Sequence, residues 1–446
     1  MGRRFDRPGV RLFFRMAVAA EFFRTAVPWN CRNVEPPNSR TVEPPFLIRE
    51  RALTNTRYLA AYYFAYFVAV GVFEPFLTPL WREFGLSSAE IGLLNAIMPA
   101  VATVAPFLWT AYADVTRRGD RIFLWSTWVS AFAAIALPNA QRFVPAAVGI
   151  FCLAAFRTPL IPFANSMTLR ALKDRPQRYA AIRLWGTIGY IVAAVGAGPV
   201  MDRLGLRIGM YGVAVAMLAC GAVAWVGRSR ERVRLNPVGL QEILAATQDR
   251  RLLVLVAATG LAWVSYGPYG TFYTIHLEHL GFSRAFAGAA WALAAGSELA
   301  VMLLWPRMCR WAAPRTWLIV GLSAHPVRWL LSSIAHDPVP LLAIQLTHAV
   351  TFGVFYLAAV QSVESLVPDG LRTTAQGVFA SVTFGVGGLV GSSLGGLLYE
   401  AIGMTALYIA AAIVSGWGMF LYVVGTPREG QGTRSLFLKT THGGQR

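Results

Sequence analysis

Twelve apolar runs of about 20 residues recur along the chain, each long enough to cross the roughly 30 Å hydrocarbon core of a bilayer as a helix. Backbone groups inside a bilayer must bond within their own segment, which for runs of this length means helices. The predicted spans are 58–80, 90–112, 121–139, 144–168, 182–201, 208–227, 251–274, 285–305, 316–335, 339–362, 375–397 and 403–424. The sequence therefore predicts an all-α polytopic membrane protein.

The composition agrees, because 56% of the residues are hydrophobic and only 14% are charged. The net charge of +18 does not indicate a nucleic-acid partner. Most Lys and Arg residues lie in the segments that share a side with the two termini, and this bias indicates the cytoplasmic side. We expect a multi-pass protein of the bacterial inner membrane, with both termini cytoplasmic and the lipid bilayer as its surroundings.

A repeat divides the chain into two halves. Gly85-Leu86-Ser87 recurs as Gly281-Phe282-Ser283, and the pattern Gly198 to Gly205 recurs as Gly396 to Gly403 at nearly the same offset. Chance matching of short glycine motifs is the alternative, since membrane helices are rich in glycine. The repeat predicts two parallel six-helix bundles, with a substrate site near the midplane between them. The predicted units are a disordered basic tail at 1–55, a six-helix bundle at 56–227, a cytoplasmic linker at 228–250, a second bundle at 251–425 and a tail at 426–446.

Ionisable side chains inside a membrane cost several kcal/mol unless they are paired or face water, so they are the first functional candidates. They are Glu74, Arg157, Glu298, Arg328 and His348, in predicted spans 1, 4, 8, 9 and 10. A carboxylate that gains and loses an Arg partner can take up and release a proton, which makes Glu298 the candidate proton carrier. The alternative is a permanent ion pair of Glu298 with Arg328 that only fixes helix packing.

Arg157 precedes two prolines that favour a break in its helix, and its guanidinium suits a carboxylate substrate. Neutralisation by Glu74 is the alternative. Glu74, Tyr266 and Asn165 complete the predicted substrate site. Aromatic residues crowd spans 1 and 7, where they serve either ring stacking or ordinary packing.

Neither a phosphate-binding Gly-Lys-Ser/Thr run nor a catalytic or metal-ligand cluster occurs in the sequence. We expect no enzyme activity, no cofactor and no metal.

Five motifs carry a family resemblance. They are Arg183-Leu-Trp185-Gly-Thr-Ile-Gly189, Ala294-Ala-Gly-Ser-Glu298, Arg328-Trp329, Gln345-Leu-Thr-His348-Ala-Val-Thr-Phe352-Gly and Gln376-Gly with Gly385-Val-Gly-Gly. Over about residues 56–425 the chain resembles the phenylpropionate permease family, a branch of the major facilitator superfamily related to lactose and nucleoside proton symporters. The resemblance implies a proton-coupling network of Glu298, Arg328 and His348. Thr351 stands where lactose permease has a second carboxylate, so the full relay is not present.

The superfamily's cytoplasmic signature after helix 2 is only partly matched. Asp114 and Arg118 fit its acidic and basic positions and form the predicted cytoplasmic gate, whereas Thr110 and Arg117 replace its usual glycines. A plain membrane-anchoring charge pair is the alternative.

The sequence as a whole predicts a monomeric symporter that imports a small organic solute, an aromatic carboxylate being the suspected class, together with protons. Symport of a sugar or nucleoside, proton-driven efflux and a non-transporting sensor or scaffold are the alternatives.

Overall fold

A computed structural model describes residues 45–116, 118–172, 178–227, 249–368 and 371–426. The part of the predicted tail before residue 45, the linker between residues 227 and 249, and the C-terminal tail after residue 426 lie outside these ranges. Residues 45–55, predicted as part of the disordered tail, are helical.

Twelve helical segments follow one another through the described residues, which contain no strand. They are α1 Pro45–Glu83, α2 Ser88–Thr116, α3 Gly119–Ala136, α4 Phe143–Ala171, α5 Tyr179–Leu204, α6 Leu206–Val226, α7 Arg250–His279, α8 Arg284–Met308, α9 Pro314–Ile334, α10 Pro338–Leu366, α11 372–402 and α12 404–425. The helix α9, with 21 residues, is long enough but not apolar enough to be among the ten candidate spans of the described residues, and one of those ten spans contains both α11 and α12. Gly403, with φ 71° and ψ 173°, separates those two helices. The segment count agrees with the predicted twelve.

The predicted repeat is visible in the backbone. Gly85 and Gly281 follow α1 and α7 with φ of 81° and 85°, and Gly205 and Gly403 follow α5 and α11 with φ of 86° and 71°. Positive φ is accessible to glycine at little steric cost, so these turns require the residue that both copies retain. The matching turns support two six-helix halves of the same orientation.

Three helices depart from regular α geometry. The helix α4 is interrupted after Arg157, where Pro159 lacks the N–H that would continue the hydrogen-bond ladder. Within α10 and α11, the segments Ala349–Val354 and Ser381–Val386 are π-helical, and both contain the sequence Val-Thr-Phe-Gly-Val. Such π-helical turns occur frequently at functional sites.

The two halves meet mainly along two helix pairs, α5 with α8 and α2 with α11. An even number of passes places the start of α1 and the end of α12 at one end of the bundle, which we call the proximal end. The turns after α1, α5, α7 and α11 lie at the opposite end, which we call the distal end.

Candidate functional site

Hydrogen bonds between carboxylate side chains of one half and backbone N–H groups of the other close the distal end. Asp202, at the end of α5, accepts hydrogen bonds from the backbone N–H groups of Arg284 and Ala285 at the start of α8, both at 3.0 Å. Glu400, near the end of α11, accepts one from the backbone N–H of Ser88 at the start of α2, at 2.8 Å. A carboxylate at a helix N-terminus satisfies free donors and complements the helix dipole. We call these contacts the distal gate.

Close backbone approach accompanies the distal gate. A Cβ added at Gly92 in α2 would lie 2.6 Å from the Cα of Gly396 in α11. A Cβ added at Gly198 in α5 would lie 2.6 Å from the Cα of Ala285 in α8. Both distances are shorter than real Cβ contacts, so the two interfaces require the absence of a side chain at these positions. The structure is therefore closed at its distal end.

A buried polar cluster occupies the C-terminal half around Arg328 in α9, whose side chain is fully buried. Its Nη1 donates to Thr351 Oγ1 at 2.9 Å, and its Nη2 donates to Gln345 Oε1 at 3.1 Å. The hydroxyl of Tyr269 also donates to Gln345 Oε1, at 2.7 Å, and the guanidinium lies 4.6 Å from the centre of the Tyr269 ring. These contacts hold the guanidinium in one position.

His348 in α10 connects this cluster to Glu298 in α8. Its Nδ1 lies 2.9 Å from Arg328 Nη1, and its Nε2 lies 3.9 Å from Glu298 Oε2. Because a guanidinium only donates, Nδ1 accepts, and in the neutral ring the proton is on Nε2, directed towards Glu298. Glu298 is partly exposed, and no direct ion pair joins it to Arg328 in the described part of the chain.

Glu298 also interacts with the other half of the molecule. Its carboxylate interacts electrostatically with Arg183 in α5 and Glu74 in α1. The guanidinium of Arg183 lies 4.1 Å from the centre of the Phe67 ring and forms no ion pair with a described residue. Arg183 was absent from the predicted site because it lies at the edge of span 5, where a basic residue is usually a flanking charge. Its position at the start of the motif Arg183 to Gly189, one of the five that carry the family resemblance, is the sequence feature that could have identified it.

Arg157 is buried and interacts electrostatically with Glu74, the predicted alternative partner, but forms no direct ion pair with it. Its Nη2 contacts Met98 Sδ at 3.9 Å, its guanidinium lies 4.6 Å from the centre of the Phe73 ring, and its Nε and Nη1 have no hydrogen-bond partner among the described residues. Glu74 is exposed and its carboxylate accepts a hydrogen bond from Tyr190. A buried guanidinium with free donors is suited to an anionic ligand.

The other two predicted substrate residues have different surroundings. Asn165 Oδ1 accepts hydrogen bonds from the hydroxyls of Tyr63 at 2.7 Å and Tyr179 at 2.9 Å, so its carbonyl group is already occupied. Tyr266 is partly exposed and lies beside His348, with ring centres 6.0 Å apart. Tyr266 therefore adjoins the buried polar cluster around Arg328, whereas Asn165 belongs to a separate group with Tyr63 and Tyr179.

The predicted cytoplasmic gate stays a prediction. The side chain of Asp114 lies outside the described residues. Arg118 is exposed where α3 begins, at the proximal end.

The protein has two six-helix halves of the same orientation, with charged side chains where the halves face each other and a closed interface at one end. This arrangement defines a polytopic membrane protein of the transporter class. The family model described as the MFS_1 like family matches residues 56–410, and the chain belongs to this family.

Named relatives fit this assignment. The chain is 28% identical to the maltose permease of Geobacillus stearothermophilus over 82% of its own length and 94% of the relative. It is 25% identical to a protein named "Probable 3-phenylpropionic acid transporter" of Escherichia coli (strain K12), over 81% and 96% of the two chains. The crystal structure of the nucleoside transporter NupG superposes with a TM-score of 0.73 at 17% identity, covering 83% of this chain and 98% of that one. The structural likeness supports the fold, and the resemblance to major facilitator transporters is confirmed.

Proposed function

We propose that this protein is a secondary transporter of the bacterial inner membrane that moves a small organic carboxylate together with protons by alternating access. The observation that carries the proposal is the position of Glu298. It is partly exposed, it lies opposite Arg183 of the other half, and His348 links it to the buried Arg328.

Proton coupling follows from the change in charge that Glu298 undergoes. When ionised, it is attracted to a cation of the opposite half, and when protonated it loses that attraction. A neutral carboxyl also costs less to enclose in a low-dielectric site than a carboxylate does. Protonation of Glu298 therefore favours the movement of the loaded halves past one another.

The carboxylate of the substrate is assigned to Arg157. Nη1 and Nη2 of Arg328 are engaged by Thr351, Gln345 and His348, and its Nε has no partner among the described residues, whereas in Arg157 both Nε and Nη1 lack one. Filling those donors with two carboxylate oxygens would remove the penalty of an unsatisfied buried cation.

The direction of transport and the orientation of the protein in the membrane are part of the same proposal. The basic residues gather at the proximal end, which we assign to the cytoplasm, and the distal gate then faces the periplasm. Opening of that gate admits solute and proton from the periplasm. After it closes, opening of the proximal end releases them into the cytoplasm. The chain acts as a monomer, since each half supplies its own part of the site.

A flux experiment tests the proposal. Purified protein in liposomes with an internal pH dye is offered 3-phenylpropionate, maltose and a nucleoside, with empty liposomes as the control. Solute-dependent acidification that a protonophore abolishes is expected for the carboxylate. Uptake without acidification would contradict proton coupling, and expulsion of preloaded solute against its gradient would indicate efflux.

A sugar is the second candidate solute, favoured by the 28% identity to the maltose permease. Acidification with maltose and not with the acid would select it and remove the role assigned to Arg157.

A further inference from the structure

Five aromatic side chains from three helices of the C-terminal half form a continuous surface, which we call the aromatic wall. Its members are Trp263 and Tyr266 of α7, Phe352 and Tyr356 of α10, and Phe384 of α11. Trp263 stacks on Tyr266 with ring centres 4.7 Å apart and meets the edge of Phe384 at 4.7 Å. The Phe352 ring lies 5.7 Å from Trp263 and is parallel to Tyr356 at 5.8 Å.

The two π-helical segments supply the phenylalanines of the aromatic wall. Phe352 lies in Ala349–Val354, and Phe384 lies in Ser381–Val386. A π-helical turn inserts a residue and rotates the side chains around it relative to an α-helix. Both turns occur where α10 and α11 approach Trp263, so the two irregularities share one location.

The aromatic wall faces the opposite half of the molecule. Tyr356 interacts electrostatically with Tyr179 and Arg183 of α5, and Tyr266 interacts with Glu74 of α1. All five rings are partly exposed and none is fully buried. Their exposed parts therefore border the space between the halves that also contains Glu298.

The polar atoms of the aromatic wall have no partner in the protein. Neither the Trp263 Nε1–H nor the hydroxyls of Tyr266 and Tyr356 form a hydrogen bond with a residue that the structure describes. Buried Trp and Tyr side chains usually find such a partner, as Trp329 does with Ser265 at 2.9 Å. Ring faces with free donors at their edges suit a planar ligand that carries an acceptor.

We propose that the aromatic wall is the subsite for the planar ring of the transported acid, and that it selects aromatic acids over saturated acids of the same length. The inference rests on the proposed transport function and narrows its substrate to one class. Face and edge contacts between rings favour an aromatic ligand, because a saturated ring lacks the quadrupole on which they depend.

Two ligands that differ only in the aromaticity of the ring measure the contribution of the ring contacts to binding. The dissociation constants of 3-phenylpropionate and 3-cyclohexylpropionate, which share a carboxylate and a chain length, are measured by calorimetry on the purified full-length protein. The wild type is expected to bind the phenyl acid about tenfold more tightly, the factor that two ring contacts supply. Trp263→Leu and Phe384→Leu should each reduce that preference to about threefold or less. Trp417→Leu is the matched control, since Trp417 is exposed on α12 and, among the described residues, its ring packs only against Phe420.

Equal or weaker binding of the phenyl acid by the wild type, including no binding of it, would overturn the aromatic subsite. A preference that survives both substitutions would do the same. Failure of this inference is distinguishable from failure of the transport proposal, because proton-coupled uptake of the cyclohexyl acid would remain in the first case and disappear in the second.

Discussion

Asp202 and Glu400 make the same contact at equivalent places in the two repeats, since each accepts a backbone N–H from the first turn of a helix in the opposite half. Asp202 thereby joins α5 to α8, and Glu400 joins α11 to α2. The contacts exist only while the distal end is closed. They contribute to the free-energy difference between the closed and open forms.

Neutralising these acids should shift the protein towards its distally open form. Alanine offers no acceptor, and loss of an N-terminal cap to alanine costs about 1 kcal/mol, so Asp202→Ala with Glu400→Ala removes two caps and should raise the open fraction roughly thirtyfold. The measurement is the alkylation rate of a cysteine placed at Thr271, whose hydroxyl accepts from Asn95 between the halves. Glu90→Ala is the control, because Glu90 bonds to Ser87 of its own half. An unchanged rate in the double variant would contradict a role for these acids in closure.

A side chain at Gly92 should prevent distal closure, because its Cβ would lie 2.6 Å from the Cα of Gly396. Gly92→Val is expected to trap the open form, with fast alkylation of the same cysteine and no net uptake. Gly196→Val provides the comparison, since a Cβ added there meets nothing within 4 Å. Normal uptake by Gly92→Val would show that this interface is not needed for closure.

Arg328→Lys should strongly slow proton-coupled uptake although it keeps the charge. Lysine cannot reproduce the planar arrangement that reaches Gln345, His348 and Thr351, and each buried group left unpaired costs about 1–3 kcal/mol. We expect a lower melting temperature and at least tenfold slower proton-coupled uptake. Thr351→Val removes a single partner and should have a smaller effect on both quantities. Full activity in the lysine variant would mean that the guanidinium geometry is not required.

Arg157→Met should remove recognition of the carboxylate. Binding of 3-phenylpropionate is expected to fall at least tenfold, while the weaker binding of 3-phenylpropanamide, which has no charge, should change little. Calorimetry on both compounds gives the comparison. An equal loss for acid and amide would indicate damage to the fold and not loss of an ionic contact.

Sequence reasoning reached the helices and the repeat because both depend on local patterns. Apolar length predicts a span, and the glycine turns recur because positive φ requires them at Gly85 and Gly281. It also singled out Glu298 and Arg328 as candidates, since charges are costly in a membrane, and in the structure both lie beside His348. It did not find Arg183, which lies at a predicted boundary, nor the cap that Asp202 provides to α8, because that contact depends on how two distant segments approach. The π-helical turns at Phe352 and Phe384 carry no periodicity that distinguishes them from α-helix.

The central claim is that Glu298 carries the proton, and Glu298→Gln separates coupling from binding. The variant in liposomes is assayed for accumulation driven by a pH gradient and for exchange of labelled against unlabelled 3-phenylpropionate, with Glu364→Gln of α10 as a matched carboxylate control. The account predicts that accumulation is lost while exchange continues, because a glutamine resembles the protonated carboxyl. Accumulation at the wild-type rate in Glu298→Gln would contradict it.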